Sequence, residues 1–198
     1  MTLVEERGPS EMAQARRAMI DSQLRVSGVN DPAILTAFDS VAREDFVPAG
    51  RRAVAYVDRA VPLGDGSVLA PALTHGQMLT AAEVVPTDSV LVIGKACAYL
   101  AALAGKLAAS VATAAPDDDW AAQGTFSLIL VDGALEVVPA ALAAALAPEG
   151  RVVTGLVERG VTRLALGRKV AGELVFTTLA EADFAAIPEY AAPAKWSF

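Results

Sequence analysis

Apolar and polar positions follow two different rhythms along this chain. In the first sixty residues the apolar side chains recur at helical spacing. Met12, Ala15, Met19, Ile20 and Leu24 form one stripe, and Ile34, Leu35, Phe38 and Val41 form a second. The flanking residues fit helix ends. Ser10 can cap the first helix with Glu11 in its first turn, and Ser27-Gly28 supply a stop near Val26. Asp31 caps the second helix, and Pro32 takes its first position. From Ser89 the rhythm changes. Val90 to Ile93 is an unbroken branched apolar run closed by Gly94, and an Ala/Leu-rich segment follows as far as Ala109. That order predicts a strand buried on both faces turning into a helix, the opening unit of a parallel α/β sheet. A second apolar run surrounds Leu128. Thr162 to Arg168 and Leu174 to Leu179 flank Val170-Ala171-Gly172 like two antiparallel strands around a tight turn.

Length and charge narrow the reading. The 198 residues fit one domain with a sizeable core, although 54% of them are hydrophobic and many of those are alanine. The apolar runs are far shorter than the roughly 20 residues that span a bilayer, so no membrane partner is expected. A net charge of −7 leaves no basic stripe for phosphates, which argues against nucleic acid. The acidic N-terminus lacks a secretory leader and Cys97 is the lone cysteine, so a cytoplasmic setting without an intrachain disulfide is expected. With His75 as the one histidine, neither a zinc site nor a Ser-His-Asp triad away from it is expected, and no metal is assigned.

Several motifs, read together and in order, are more specific than any one of them. Met19-Ile20-Asp21-Ser22-Gln23-Leu24-Arg25 is followed by Gly28-Val29-Asn30-Asp31, then by Ala42-Arg43-Glu44-Asp45-Phe46-Val47-Pro48. Ala55-Tyr56-Val57-Asp58 and Pro62-Leu63-Gly64 come next. This series resembles the N-terminal section of protein-L-isoaspartate O-methyltransferases. The resemblance continues through Val90 to Tyr99, Phe126 to Asp132, Val137-Val138-Pro139, Leu146 to Val153 and Ile187-Pro188. It implies a three-layer α/β, Rossmann-like fold of the S-adenosylmethionine methyltransferase type, with an N-terminal helical section and a C-terminal antiparallel strand pair. The expected layout is one domain: an arm at 1–9, the helical section at 10–61, the α/β core at 88–188 and a tail at 189–198. The implied activity is methyl transfer from S-adenosylmethionine to isoaspartyl carboxylates in proteins or peptides. Cofactor contacts fall by resemblance on Gly94, Lys95, Tyr99 and Asp132, and the substrate contact on Ser67.

The departures from the family pattern concern those same contacts. A carboxylate is already ionised and a sulfonium already electrophilic, so such an enzyme supplies mainly positioning and charge complementarity. The turn that should be glycine-rich reads Gly94-Lys95-Ala96-Cys97-Ala98-Tyr99, with side chains where backbone should approach the cofactor. The next strand, near Ala109 to Thr113, is followed by Ala114-Ala115-Pro116 rather than by an acid for the ribose hydroxyls. Asp117, Asp118 and Asp119 fit a helix start instead. Between Thr113 and Phe126 only one short crossover fits, so the sheet should be one strand short. The family's Gly-Gln-Thr-Ile-Ser-Gln-Pro type loop has become Gly64 to Pro71, where Ser67 is the one hydroxyl and Asp65 would repel a carboxylate. His75 reads as a structural histidine and Cys97 as a small buried side chain. Two readings stay open: an isoaspartyl methyltransferase with activity weakened or lost, or a silent module for binding or dimerisation, with a homodimer as one form. A sensor for a small acidic ligand, resting on Lys95 and Ser67, is a third.

Overall fold

A computed structural model describes residues 9–193 of the chain. Helix α1 covers Pro9–Met19, and its path continues through a π turn at Ile20–Leu24 and a 3-10 turn at Arg25–Ser27. Gly28, at φ +90°, ends it in the left-handed conformation that glycine adopts at least cost. The single helix expected to run to Val26 is therefore three helical segments end to end. Helix α2, Pro32–Ser40, begins as its sequence predicts: the Asp31 carboxylate accepts the backbone N–H groups of Ala33 and Ile34 at 2.8 and 3.1 Å. Two 3-10 turns follow at Arg43–Phe46 and Ala49–Val54. The strand pair β1, Val61–Pro62, and β2, Val68–Leu69, then brackets the loop that carries Asp65 and Ser67.

The main sheet is built from β3 (Ser89–Ile93), β4 (Ser110–Ala114), β5 (Phe126–Leu135), β6 (Leu146–Glu158), β7 (Val161–Val170) and β8 (Glu173–Glu181). Its strand order is β4-β3-β5-β6-β7-β8. The first four of these are parallel and the last two antiparallel to their neighbours. The chain reverses direction across β3, since β4 lies on one side of it and β5 on the other. Such a switch point places a crevice at the carboxyl ends of the strands. Among the described residues β4 is an edge strand, and residues 115–125 return to β5 through one 3-10 turn at Ala121–Gln123, so the sheet is short on that side.

Burial on both faces follows from the residue pattern. Val90, Val92, Leu128 and Leu130 enter one core with the N-terminal section, α3 (Ala72–Ala82) and α4 (Ala98–Ala104). Leu91, Ile93, Ile129 and Val131 enter a second core with Trp120, Leu142 of α5 (Ala141–Ala145) and Ile187. Strands that bury both faces need apolar residues at every position, which is why the runs around Val90 and Leu128 do not alternate. Part of the segment read as a tail is packed against the fold. The Tyr190 hydroxyl donates to the Pro116 carbonyl, and its ring meets Trp120 edge-on at 6.0 Å. The expected arm at 1–9, apart from Pro9, and positions 194–198 lie outside the described residues.

Candidate functional site

The carboxyl ends of β3 and β4 open beside Asp132 of β5 into a cleft of about 330 Å³, near the low end of the roughly 300–1,000 Å³ usual for ligand pockets. Five segments wall it: the β1–β2 loop with the start of β2, the turn after β3, Pro116 after β4, Asp132 in β5, and residues 185–189. This last segment runs beside β5, with Ala134 N–H donating to Ala185 O at 2.8 Å and Ile187 N–H to Ala134 O at 2.9 Å. It approaches closely because Gly133 carries no Cβ; one built there would lie 2.5 Å from Ile187 Cγ1.

The structure brings Ser67, Lys95 and Asp132 to this cleft, with Gly94 directly before Lys95. It sends Tyr99 elsewhere. Tyr99 is fully buried among Phe38, Phe46, His75 and Arg43 and does not line the cleft. Helical phase explains the difference: Tyr99 lies in the first turn of α4 and shares the inward face with Leu100 and Leu103.

The turn after β3 is occupied by side chains. A Cβ at Gly94 would lie 3.2 Å from Asp132 Cβ and 3.4 Å from Cys97 Cβ, so backbone, Asp132 and Cys97 are already packed at that point. The Cys97 thiol is pushed up to about 11 by burial, with the Asp132 charge adding to the effect, which makes it a packing group rather than a nucleophile. Lys95 extends over the cleft and places Nζ 2.6 Å from Glu189 Oε1. The pair raises the lysine and lowers the glutamate from their ordinary values.

On the opposite wall, the Ser67 hydroxyl is not free. It donates to Asp65 Oδ1 at 2.5 Å, and the Ser67 N–H donates to the same oxygen at 2.9 Å. These bonds hold the Asp65 carboxyl below its usual range. The one hydroxyl available for an incoming carboxylate thus already serves a carboxylate of the chain.

At the end of β4 stand Ala114, Ala115 and Pro116, and the nearby acids serve the backbone. Asp118 Oδ2 accepts the Ala115 N–H at 2.7 Å, and Asp119 Oδ1 accepts the Ala122 N–H at 3.3 Å. The two positions directly after β4 hold no acid, and the turn after β3 carries Lys95, whose cation bridges to Glu189 on the far wall.

Sequence reasoning missed the polar cluster under the cleft. His75, in α3 and fully buried, has Nε2 3.0 Å from Asp132 Oδ1. The two residues are 57 positions apart, and nothing in either local sequence announces the pair. Arg43 is also fully buried. It donates to the Ala55 and Ala70 carbonyls at 2.7 and 2.6 Å and lies 5.0 Å from the Tyr99 ring centroid. Burial lowers the Arg43 guanidinium from its ordinary value, and the neighbouring Tyr99 phenol and Asp132 carboxylate oppose that shift. Four atoms of this cluster have no hydrogen-bond partner: Arg43 Nη1, His75 Nδ1, Tyr99 OH and Asp132 Oδ2. Asp132 lies inside β5 rather than at its end. It sits where the β5–β6 register shifts between Leu130 and Ala134, just past the last β3 pairing at Val131, so β5 continues while Asp132 stays at the crevice.

The sheet, its switch point and the crevice define an α/β protein of the methyltransferase-like class. A family model described as protein-L-isoaspartate(D-aspartate) O-methyltransferase matches residues 14–115. A relative of that name from Koribacter versatilis is 33% identical over 196 aligned positions, covering 85% of this chain and 88% of the relative. Another, from Roseiflexus castenholzii, is 34% identical over 72% of this chain and 78% of its own length. The chain belongs to the protein-L-isoaspartate O-methyltransferase family. Its fold is similar to that of a Plasmodium falciparum chain described by the same family name and solved with S-adenosyl-L-homocysteine. The TM-score is 0.72 at 14% identity, covering 90% of this chain and 98% of that one. No helix among the described residues is long and apolar enough to cross a membrane.

Proposed function

We propose that this member of the family is a carboxyl-methyltransferase-type protein in which S-adenosylmethionine binding and isoaspartyl methyl transfer are weakened or lost. The observation that carries the reading is the cleft's own occupancy: Lys95 bridges to Glu189 on one side, and Ser67 is bonded to Asp65 on the other. An incoming isoaspartyl carboxylate meets Asp65 where the reaction needs a donor, and like charges repel without a compensating hydrogen bond. The missing acid after β4 removes one charge-assisted pair, worth about 1.5 to 3 kcal/mol. Loss of the donor at Ser67 removes a second contact of similar kind. At 1.4 kcal/mol per tenfold, two such losses amount to roughly a hundredfold or more.

The test is transfer of a labelled methyl group from S-adenosylmethionine to an isoaspartyl peptide, with the Koribacter versatilis relative assayed alongside. Incorporation at least about a hundredfold below the relative is expected. A rate within tenfold of the relative overturns the proposal. Complete absence of transfer selects the silent-module form of the same reading over a slow enzyme.

A further inference from the structure

The cleft's charge runs opposite to what an acidic ligand needs. Its lining holds three carboxylates, Asp65, Asp132 and Glu189, and one ammonium, Lys95, which Glu189 already neutralises. Asp65 is likewise satisfied, by Ser67. Asp132 is different. Its side chain is 4% exposed, Oδ1 is taken by His75, and Oδ2 accepts no hydrogen bond. A buried carboxylate oxygen without a donor is a costly state, and a cationic donor relieves it with a charge-assisted bond. Arg43, the buried cation of this region, directs two donors to the Ala55 and Ala70 carbonyls and gives Asp132 no hydrogen bond. The rest of the lining is mostly apolar, with Val68, Ala96, Ala185 and Ile187 among it, which suits a hydrocarbon body.

We propose that this cleft is a binding site for a small organic amine, whose protonated nitrogen is received by Asp132 while its apolar body lies against Val68 and Ile187. The selectivity is the reverse of that implied by a carboxylate substrate: amines enter, and acids of the same shape are excluded. The site shares its space with the methyl-donor seat discussed above, but it needs neither adenosine nor methyl transfer.

The test uses three probes of one shape and different charge: 1-hexylamine, 1-hexanol and hexanoate, titrated at neutral pH into the full chain by calorimetry or by NMR shift mapping. Saturable hexylamine binding is expected, with hexanol at least about tenfold weaker and hexanoate weaker again. Asp132→Asn keeps an oxygen for His75 and removes the charge, so it should bring hexylamine down to the hexanol level. Hexanol binding as tightly as hexylamine, no saturable hexylamine binding, or unchanged affinity in a folded Asp132→Asn variant overturns the proposal. Should that variant fail to fold, the three-probe comparison on the unaltered chain decides alone. S-adenosyl-L-homocysteine titrated into the same samples separates the two ideas. Tight binding of that compound contradicts the functional reading without touching the amine site, and failure of hexylamine contradicts the amine site without touching the functional reading.

Discussion

Replacing Arg151 with methionine should destabilise the protein by about 3–5 kcal/mol at neutral pH, the cost of leaving one partner of a buried ion pair alone. Arg151 reaches from β6 to the base of the sheet. Its Nη2 and Nη1 donate to the two Asp88 oxygens at 2.7 and 3.1 Å, its Nη2 also to Glu83 O at 3.0 Å, and its Nε to the Ala82 carbonyl. Asp88, itself 3% exposed, also accepts the Ser127 hydroxyl at 2.6 Å and the Val85 N–H at 2.9 Å. These bonds tie the end of α3 to the starts of β3 and β5 and to β6, and so fix the sheet that carries the cleft at its other end. Burial by itself would raise the Asp88 carboxyl, but the hydrogen bonds from Arg151, Ser127 and Val85 hold it down to about 2 against an ordinary 3.8. That difference corresponds to about 2 kcal/mol of pH-dependent stability. Because the folded-state value lies below the unfolded one, this stability is fully present above about pH 4 and disappears as the pH falls towards 2. Urea unfolding of the unaltered chain and Arg151→Met, repeated between pH 7 and pH 3, measures both effects. The gap between the two proteins should be largest at pH 7 and narrow below pH 4. Adding Asp88→Asn to the variant should recover part of the loss, since the stranded charge is then gone. A loss under 1 kcal/mol at pH 7, or a gap that does not change with pH, would show that the Arg151–Asp88 pair does not hold the base of the sheet.

Two further outcomes follow from the site. Cys97, held near 11 by burial and by the Asp132 charge, should resist a disulfide reagent at pH 8 in the folded protein and react fully once denaturant is added; rapid labelling of the native chain contradicts its burial. Gly133→Ala places a methyl 2.5 Å from Ile187 Cγ1 and 3.1 Å from the Ala185 carbonyl, so the wall formed by residues 185–189 must move. Overpacking of this kind costs about 1–3 kcal/mol, and Tm should fall by roughly 2–4 °C per kcal/mol in a chain this long. Hexylamine binding should weaken in the same variant, and an unchanged Tm would show that the wall yields freely.

Local chemistry was legible in the sequence wherever the cause was local. Asp31 and Pro32 announce the start of α2, the uniform apolar run at Val90–Ile93 announces a strand covered on both faces, and Val170-Ala171-Gly172 announces the hairpin between β7 and β8. The shortened sheet could be read because residues 114–125 are too few for another strand and helix. The site was legible only in part. Ser67 and Lys95 were placed at the cleft, and Asp65 was recognised as hostile to a carboxylate, from their motif positions alone. The bond from Ser67 to Asp65 and the reach of Lys95 to Glu189 depend on loop geometry, and Glu189 is 94 positions further along the chain. The cluster of Arg43, His75, Tyr99 and Asp132 assembles from four separate elements. A fully buried arginine runs against every compositional expectation, since that residue type is normally at the surface. A lone histidine offered no visible partner because its partner belongs to a strand that folding brings under α3.

The proposed function rests on a methyl-donor seat that no longer receives its cofactor well. Calorimetric titration of S-adenosyl-L-homocysteine into the full chain tests this most directly, free of any substrate or turnover. A dissociation constant in the millimolar range or no detectable heat is expected; saturable one-to-one binding at low micromolar concentration would overturn the proposed function.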